Sequence, residues 1–322
     1  MRPALYYALG GGLGHITRAR AILAHWDVEA RIITRADLAA HPRISNGLDL
    51  LPVPVELEQD NAALRRWLEA VIRNLSPSVI YLDSFPAGLF GEFCGMHLPK
   101  DTRLEYIARL LRWDVYRQLL TGPVRGFSRT HLLEPLDSRH ELWVKANSQN
   151  LSRLDFKDPP APADPDCLSA FMALSPPRWL IVHSGNEAEI EDLMVYALEQ
   201  AQMEALKPNI CLASPKPDSA LPAAVKLLDC YPLTPLFRHA ERIISACGFN
   251  TMRQTEAFRE RHRFLPMQRH FDDQFTRAAL RRQRLSQDWM ACIRASNRQV
   301  RNKKSVLVPL AQIKSAVPRK NL

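Results

Sequence analysis

The chain has 322 residues and a mass of 36.7 kDa. A single hydrophobic core rarely grows past roughly 250–300 residues, so two domains of about 150 residues each are expected. With 46% hydrophobic and 24% charged residues and a mean hydropathy of −0.22, the composition excludes a mostly disordered chain. No stretch reaches the roughly 18 unbroken apolar residues of a membrane span.

The net charge of +9 is concentrated at one end. Residues 277–322 hold twelve Lys or Arg and one acid, Asp288, whereas the other residues hold 31 basic and 33 acidic groups. Clustered basic residues suit nucleic acid or an anionic membrane surface. Trp289 is the one aromatic residue of that segment, which disfavours stacking on single strands. Nucleic acid is thus disfavoured, peripheral contact with an anionic membrane surface through this tail is one reading, and a solvated helix face with a loose tail is the plainer one of equal standing. Six cysteines at 94, 167, 211, 230, 247 and 292 form no CxxC pair, and they are expected to be reduced. The short apolar run at the start ends in glycines, unlike a signal peptide, so the expected compartment is the cytoplasm.

Along the chain, Ala4–Leu9 reads as a buried strand that enters Gly10-Gly-Gly-Leu-Gly14 and then a helix carrying Ile16, Ala19, Ile22 and Leu23 on one face. Ala30–Ile33 is a second strand, Leu64–Leu75 a helix, and Val79–Leu82 a third strand ending at Asp83. A helix is expected over Leu104–Leu120, and strands near His131–Glu134 and Leu142–Lys145. Lys157–Asp166 contains four prolines and reads as an extended linker. Its Asp164-Pro-Asp166 matches a metal-binding DxD only formally. Beyond it the rhythm restarts with strands at Arg178–Val182, Ile210–Ala213, Ala224–Leu228 and Arg242–Ala246 and a helix over Glu187–Met203. The expected fold is α/β, with two doubly wound Rossmann-like domains facing a central cleft. Expected boundaries are 1–156 for the first domain, 157–167 for the linker, 168–285 for the second domain, and 286–322 for a basic helix and tail that crosses back to the first domain.

Chemistry-bearing residues fall at strand ends. Gly12 and Gly14 let the backbone approach a ligand, and the following helix start offers free amides. The loop fails as a dinucleotide fingerprint because position 15 is histidine. His15 at the cleft mouth is suited to take a proton from a hydroxyl, with a helix-start cap as the alternative. Asp83 could orient His15, stabilise its imidazolium, bind acceptor hydroxyls, or simply form a turn. Ser184 and Gly185 make a strand-to-helix turn with a hydroxyl and amides for a phosphate. Gly248, Phe249, Asn250 and Thr251 open a helix toward a diphosphate, and that helix is expected to carry Glu256, placed to accept two ribose hydroxyls. Asp273 and Gln274 are groups that read sugar hydroxyls.

Three segments, Gly-Leu-Gly-His-Ile-Thr-Arg at 12–18, Cys-Gly-Phe-Asn-Thr with Glu at 247–256, and Pro-x-x-Arg-x-x-Asp-Asp-Gln-x-x-Arg-Ala at 266–278, together resemble the GT-B nucleotide-sugar glycosyltransferases. The branch they look like is that of the bacterial peptidoglycan N-acetylglucosaminyltransferase. Cys247 stands where the family often has a glycine, and the N-terminal loop departs from the peptidoglycan enzyme's pattern. The resemblance implies an inverting, metal-independent transfer of a sugar from a UDP-linked donor to a hydroxyl, without a cofactor. It gives His15 the catalytic role, the Ser184–Gly185 and Gly248–Thr251 turns the diphosphate, Glu256 the ribose, and Asp273 with Gln274 the donor sugar. By position the nucleobase falls near Tyr231–Leu233, and membrane contact would be with the inner membrane. The closest alternative on the same fold is a nucleotide-sugar hydrolase or epimerase.

Overall fold

In the computed structural model, residues 2–58, 60–214 and 225–287 are described. The chain falls into two compact units, Met1–Phe275 and Thr276–Leu322. The second is helical over its described residues, 276–287, and most of the basic tail, including 288–300, lies outside the described residues. Among the described residues no helix is long and apolar enough to cross a membrane.

The first unit contains two parallel sheets. The first runs through β1 (Ala4–Tyr7), α1 (Gly14–Trp26), β2 (Ala30–Arg35), α2 (Ala36–Ala39), α3 (Pro42–Ser45), β3 (Leu50–Val53), α4 (Asn61–Leu75), β4 (Val79–Asp83), β5 (Arg103–Ala108), α5 (Trp113–Tyr116), β6 (Arg129–Leu132), α6 (Ser138–Asn147) and β7 (Leu151–Arg153). The second follows through α7 (Pro165–Met172), β8 (Arg178–Val182), α8 (Glu187–Met203), β9 (Asn209–Ala213), β10 (Lys226–Leu228), β11 (Arg242–Ala246), α9 (Phe249–Gln254) and β12 (His262–Leu265). Their strand orders are β3-β2-β1-β4-β5-β6-β7 and β10-β9-β8-β11-β12. Both orders reverse beside the first strand, at β1/β4 and at β8/β11, as in a doubly wound sheet. Ligands of such sheets bind outside the carboxyl ends of the strands at these crossovers.

The central strands β1 and β4 are buried along their whole length and nearly all apolar, because both faces of the sheet are covered. Leu5, Tyr7, Ile80, Leu82 and Tyr106 face Leu64, Leu68 and Ile72 of α4. On the opposite face Tyr6, Ile32, Tyr81 and Ile107 pack with Ala19, Ile22 and Leu23 of α1. In the second sheet Trp179, Ile181, Leu212 and Ile244 meet Ile190, Leu193 and Ala197 of α8. Leu180, Cys211 and Ile243 meet Phe171 of α7.

Several expectations are corrected. Leu104–Leu120 is not one helix: Leu104, Ile107 and Leu111 imitate helical spacing, but its first part pairs with β4 and β6 as strand β5, and it turns helical only at Trp113–Tyr116, followed by a 3-10 turn at Arg117–Leu119. Leu142–Lys145 is not a strand; it lies in α6, whose start is capped by Asp137 accepting from Arg139 N and His140 N. Cys167 and Cys230 form a disulfide, against the expectation of six reduced thiols, because the fold brings the start of α7 beside the loop after β10. Cys94, Cys211 and Cys247 are buried thiols, and Cys292 lies outside the described residues. The proline-rich segment has no helix or strand until Pro165, where Asp164 accepts from Asp166 N and Cys167 N as a helix cap. It is not free: Arg253 stacks over Phe156 at 4.3 Å and bonds Asp158 at 2.6 Å.

Leu68 is fully buried between α4 and the first sheet. Leu68→Ala is expected to cost about 2–5 kcal/mol through lost burial and the cavity left behind. Denaturant unfolding checks this, and a cost below about 1 kcal/mol would contradict the packing described.

Candidate active site

Each candidate segment follows a strand that borders a crossover. β1 leads into the glycine loop and α1, β4 ends at Asp83, β8 leads to His183–Gly185, and β11 leads to Cys247–Gly248 and α9.

His15 is the second residue of α1 and is buried. Its Nδ1 lies 2.5 Å from Asp83 Oδ2. An ionised carboxylate only accepts, so Nδ1 carries the proton and Nε2 keeps its lone pair. The ring lies over Gly10, where a Cβ would collide with Cδ2 and Nε2. Glycine at 10 is therefore a condition for the ring's position. Phe85 stands 5.4 Å from the ring centre. Burial lowers the His15 pKa from its ordinary 6.5, and the Asp83 carboxylate only partly offsets this.

Asp83 is almost completely buried, yet each oxygen is satisfied. Oδ1 accepts from Arg18 Nε at 2.7 Å and from the Tyr6 hydroxyl at 3.2 Å; Oδ2 accepts from Arg18 Nη2 at 2.5 Å and from His15. Burial alone would push the carboxyl up, but the Arg18 guanidinium and the His15 N–H outweigh it and hold it below the usual carboxylate range. Of the roles open to Asp83, this geometry fits the orientation of His15. Ser84, next in the chain, has a left-handed φ of 68°. Its hydroxyl accepts from Arg18 Nη2 and from Arg109 Nε, both at 2.7 Å, which fixes the strained turn. Arg109 also pairs with Asp272, ahead of Asp273.

The glycine loop and α9 meet. Asn250 Nδ2 donates to Gly14 O at 2.8 Å, and Phe249 packs among Tyr6, Ala19 and Leu23. Neither α1 nor α9 has a side-chain cap at its N-terminus, where Leu13 and Gly248 stand. A Cβ at Gly11, Gly12 or Gly248 would meet nothing within 4 Å, so this backbone borders open space. Thr251 lies inside α9. Tyr231 reaches α1, its hydroxyl 3.2 Å from Thr17 Oγ1.

Three expected residues stand differently from their sequence reading. Glu256 is not on α9, which ends at Gln254; it opens a 3-10 turn, exposed and 3.7 Å from Arg259. Thr255 ends the helix by donating back to Thr251 O at 2.7 Å while pairing with His262. Gln274 is buried, and its Oε1 accepts from Cys247 N and Met267 N, both at 3.0 Å. That oxygen clips the ends of two strands together and is not turned to a ligand. At the turn after β8 Ser184 is exposed, but α8 is capped by Asn186, and Glu189 receives His183 and Arg269 directly over Gly185. Asp273 is half-buried beside Gln274.

Arg18, Ser84, Arg109 and Asp272 carried no role in the sequence. The signal for Arg18 was present: it lies three residues after His15 on one helix and so on the same face.

No protein-family model matches the chain, and no curated protein matches it significantly. Solved structures do. The spinosyn forosaminyltransferase SpnP superposes with a TM-score of 0.54 at 14% identity, over 86% of this chain and 82% of that one. The spinosyn rhamnosyltransferase SpnG complexed with thymidine diphosphate gives 0.52 at 14%, over 83% and 81%. The S. aureus MnaA–UDP co-structure gives 0.52 at 10%, over 83% and 80%. At such identities the likeness is one of fold, and the two-sheet architecture is that of the GT-B fold.

Gln274→Ala would remove the side-chain oxygen that accepts from two buried backbone amides. At about 1–3 kcal/mol for each group that loses its acceptor, a loss of roughly 2–6 kcal/mol is expected in denaturant unfolding. Unchanged stability would contradict the clip.

Proposed function

We propose that the chain is an inverting, metal-independent glycosyltransferase that moves a sugar from a nucleoside-diphosphate donor, UDP-linked in the first instance, to a hydroxyl acceptor. The observation that carries this reading is the His15–Asp83 pair at the crossover of the first sheet, joined through Gly14 and Asn250 to the start of α9 at the crossover of the second. SpnG holds thymidine diphosphate and MnaA holds UDP on the same fold, which favours a pyrimidine nucleotide here.

In this mechanism His15 Nε2 accepts the proton of the acceptor hydroxyl as its oxygen attacks the anomeric carbon from the face opposite the diphosphate. The bond from that carbon to the phosphate oxygen breaks, and the diphosphate leaves with the electron pair. Asp83 keeps the imidazole in the tautomer that can do this by accepting from Nδ1–H. The leaving charge is met by backbone amides of Gly248, Phe249, Asn250 and Thr251, by the backbone of Gly12 and Gly14, and by Ser184 and Gly185. These are fixed dipoles that need no reorganisation. Glu256 takes the ribose hydroxyls and Asp273 the donor sugar, with Gln274 holding the loop that presents Asp273.

Thermal-shift titration with UDP, dTDP, GDP and CDP tests the donor site. A ligand at about 100 times its Kd adds roughly 2.7 kcal/mol of stability. One nucleotide is expected to stabilise the wild type and His15→Ala alike and Glu256→Ala less. A flat response to every diphosphate would overturn the reading. With a donor in hand, the acid limb of kcat/KM should lie below pH 6.5, because the lowered pKa keeps His15 neutral to lower pH and activity is lost only as pH falls through it. A limb at or above 6.5 would remove His15 as the base.

A further inference from the structure

A histidine base supported by one carboxylate needs only that carboxylate, yet here Asp83 is gripped by a second and stronger partner. Arg18 takes one oxygen with Nε at 2.7 Å and the other with Nη2 at 2.5 Å, a two-pronged contact that fixes the carboxylate plane. The same Nη2 donates to Ser84 Oγ at 2.7 Å and stands 3.4 Å from His15 Nδ1. Arg18 is itself buried, so solvent screens none of these charges effectively. A helix turn places Arg18 and His15 side by side on α1, and both aim at the end of β4.

We propose that Arg18 is a positioning residue for His15: by occupying both oxygens of Asp83 it turns that carboxylate from the counter-ion of an imidazolium into a fixed acceptor for Nδ1–H, leaving Nε2 as the open basic end. The charged and titratable groups around His15 are Arg18 on α1, Asp83 on β4, Tyr6 on β1 and Arg109 after β5. Arg109 adds positive charge through Ser84, and its pairing with Asp272 moderates it. The two guanidiniums act with burial to disfavour the imidazolium, and Asp83 acts against them. His15 thus rests in the neutral form, the state a proton acceptor must hold before the reaction.

The inference rests on the glycosyl-transfer reading only in giving Nε2 a task. Its test needs no donor, acceptor or turnover: an unmoved midpoint in R18M overturns the inference and leaves that reading standing, and a protein that binds no nucleotide would still show the effect. The experiment is an NMR titration of the imidazole of His15, assigned by loss of its signals in His15→Gln, in the wild type, R18K and R18M. Below its wild-type midpoint His15 is protonated and above it neutral. The wild type should titrate below 6.5 with the proton on Nδ1 in the neutral form. R18M should raise the midpoint by about one pH unit or more, since Asp83 is then free to act as a counter-ion. R18K, which keeps the charge, should stay nearer the wild type than R18M. A folded R18M with an unmoved midpoint would overturn the proposal. If R18M does not fold, the wild-type spectrum decides: a neutral tautomer with the proton on Nε2, or a midpoint at or above 6.5, overturns it as well.

Discussion

A carboxylate at the end of a buried central strand must find positive charge and hydrogen-bond donors, or it will not ionise there. Asp83 is in that position, and the surrounding structure supplies both. Arg18 comes from the helix that follows β1, Tyr6 from β1 itself, and His15 from the first turn of that helix. Their convergence requires the crossover of the sheet between β1 and β4, since only there do the end of one strand and the helix of the other meet. It also requires the absence of a side chain at Gly10, where the imidazole lies. Fold and chemistry are thus connected at one acidic group, whose removal would leave a buried guanidinium unpaired and a histidine without its orienting acceptor.

The second sheet meets this centre through contacts of a different kind. Asn250 reaches the backbone of Gly14, Asp272 pairs with Arg109, and Arg112 donates to the carbonyl of Arg269 at 2.9 Å. Phe271 sits edge-on to Phe85 and Tyr116. The loop that carries Asp273 is therefore fixed from the first sheet's side by Arg109 and Arg112, and from its own side by Gln274. In the proposed role Asp273 would have to be held to within a fraction of an ångström, and such a shell of supporting contacts would do that.

The architecture was legible because parallel strands covered on both faces appear as short apolar runs, as in Ala4–Leu9 and Arg178–Val182. Strand β5 was misread because Leu104, Ile107 and Leu111 have helical spacing, and only pairing with its neighbours decides between the two periods. His15 and Asp83 were readable from their places at strand ends, and their hydrogen bond joins residues 68 apart in the chain. Arg18 belonged to a quoted motif but received no role, since its partner is 65 residues away. Gln274 shows the opposite failure. Its side chain has the chemistry to read a sugar, but the backbone amides of Cys247 and Met267 claim its oxygen, and which amides take a side-chain acceptor is a tertiary property.

The most direct measurement is a crystal structure grown with the nucleoside diphosphate that stabilises the protein. The expected density places the diphosphate between the Gly11–Gly12 backbone and the start of α9 at Gly248, with its sugar-bearing end toward His15 and the His15–Asp83 bond intact. A nucleotide bound away from both crossovers, or a His15 ring turned from Asp83 in the complex, would contradict the account.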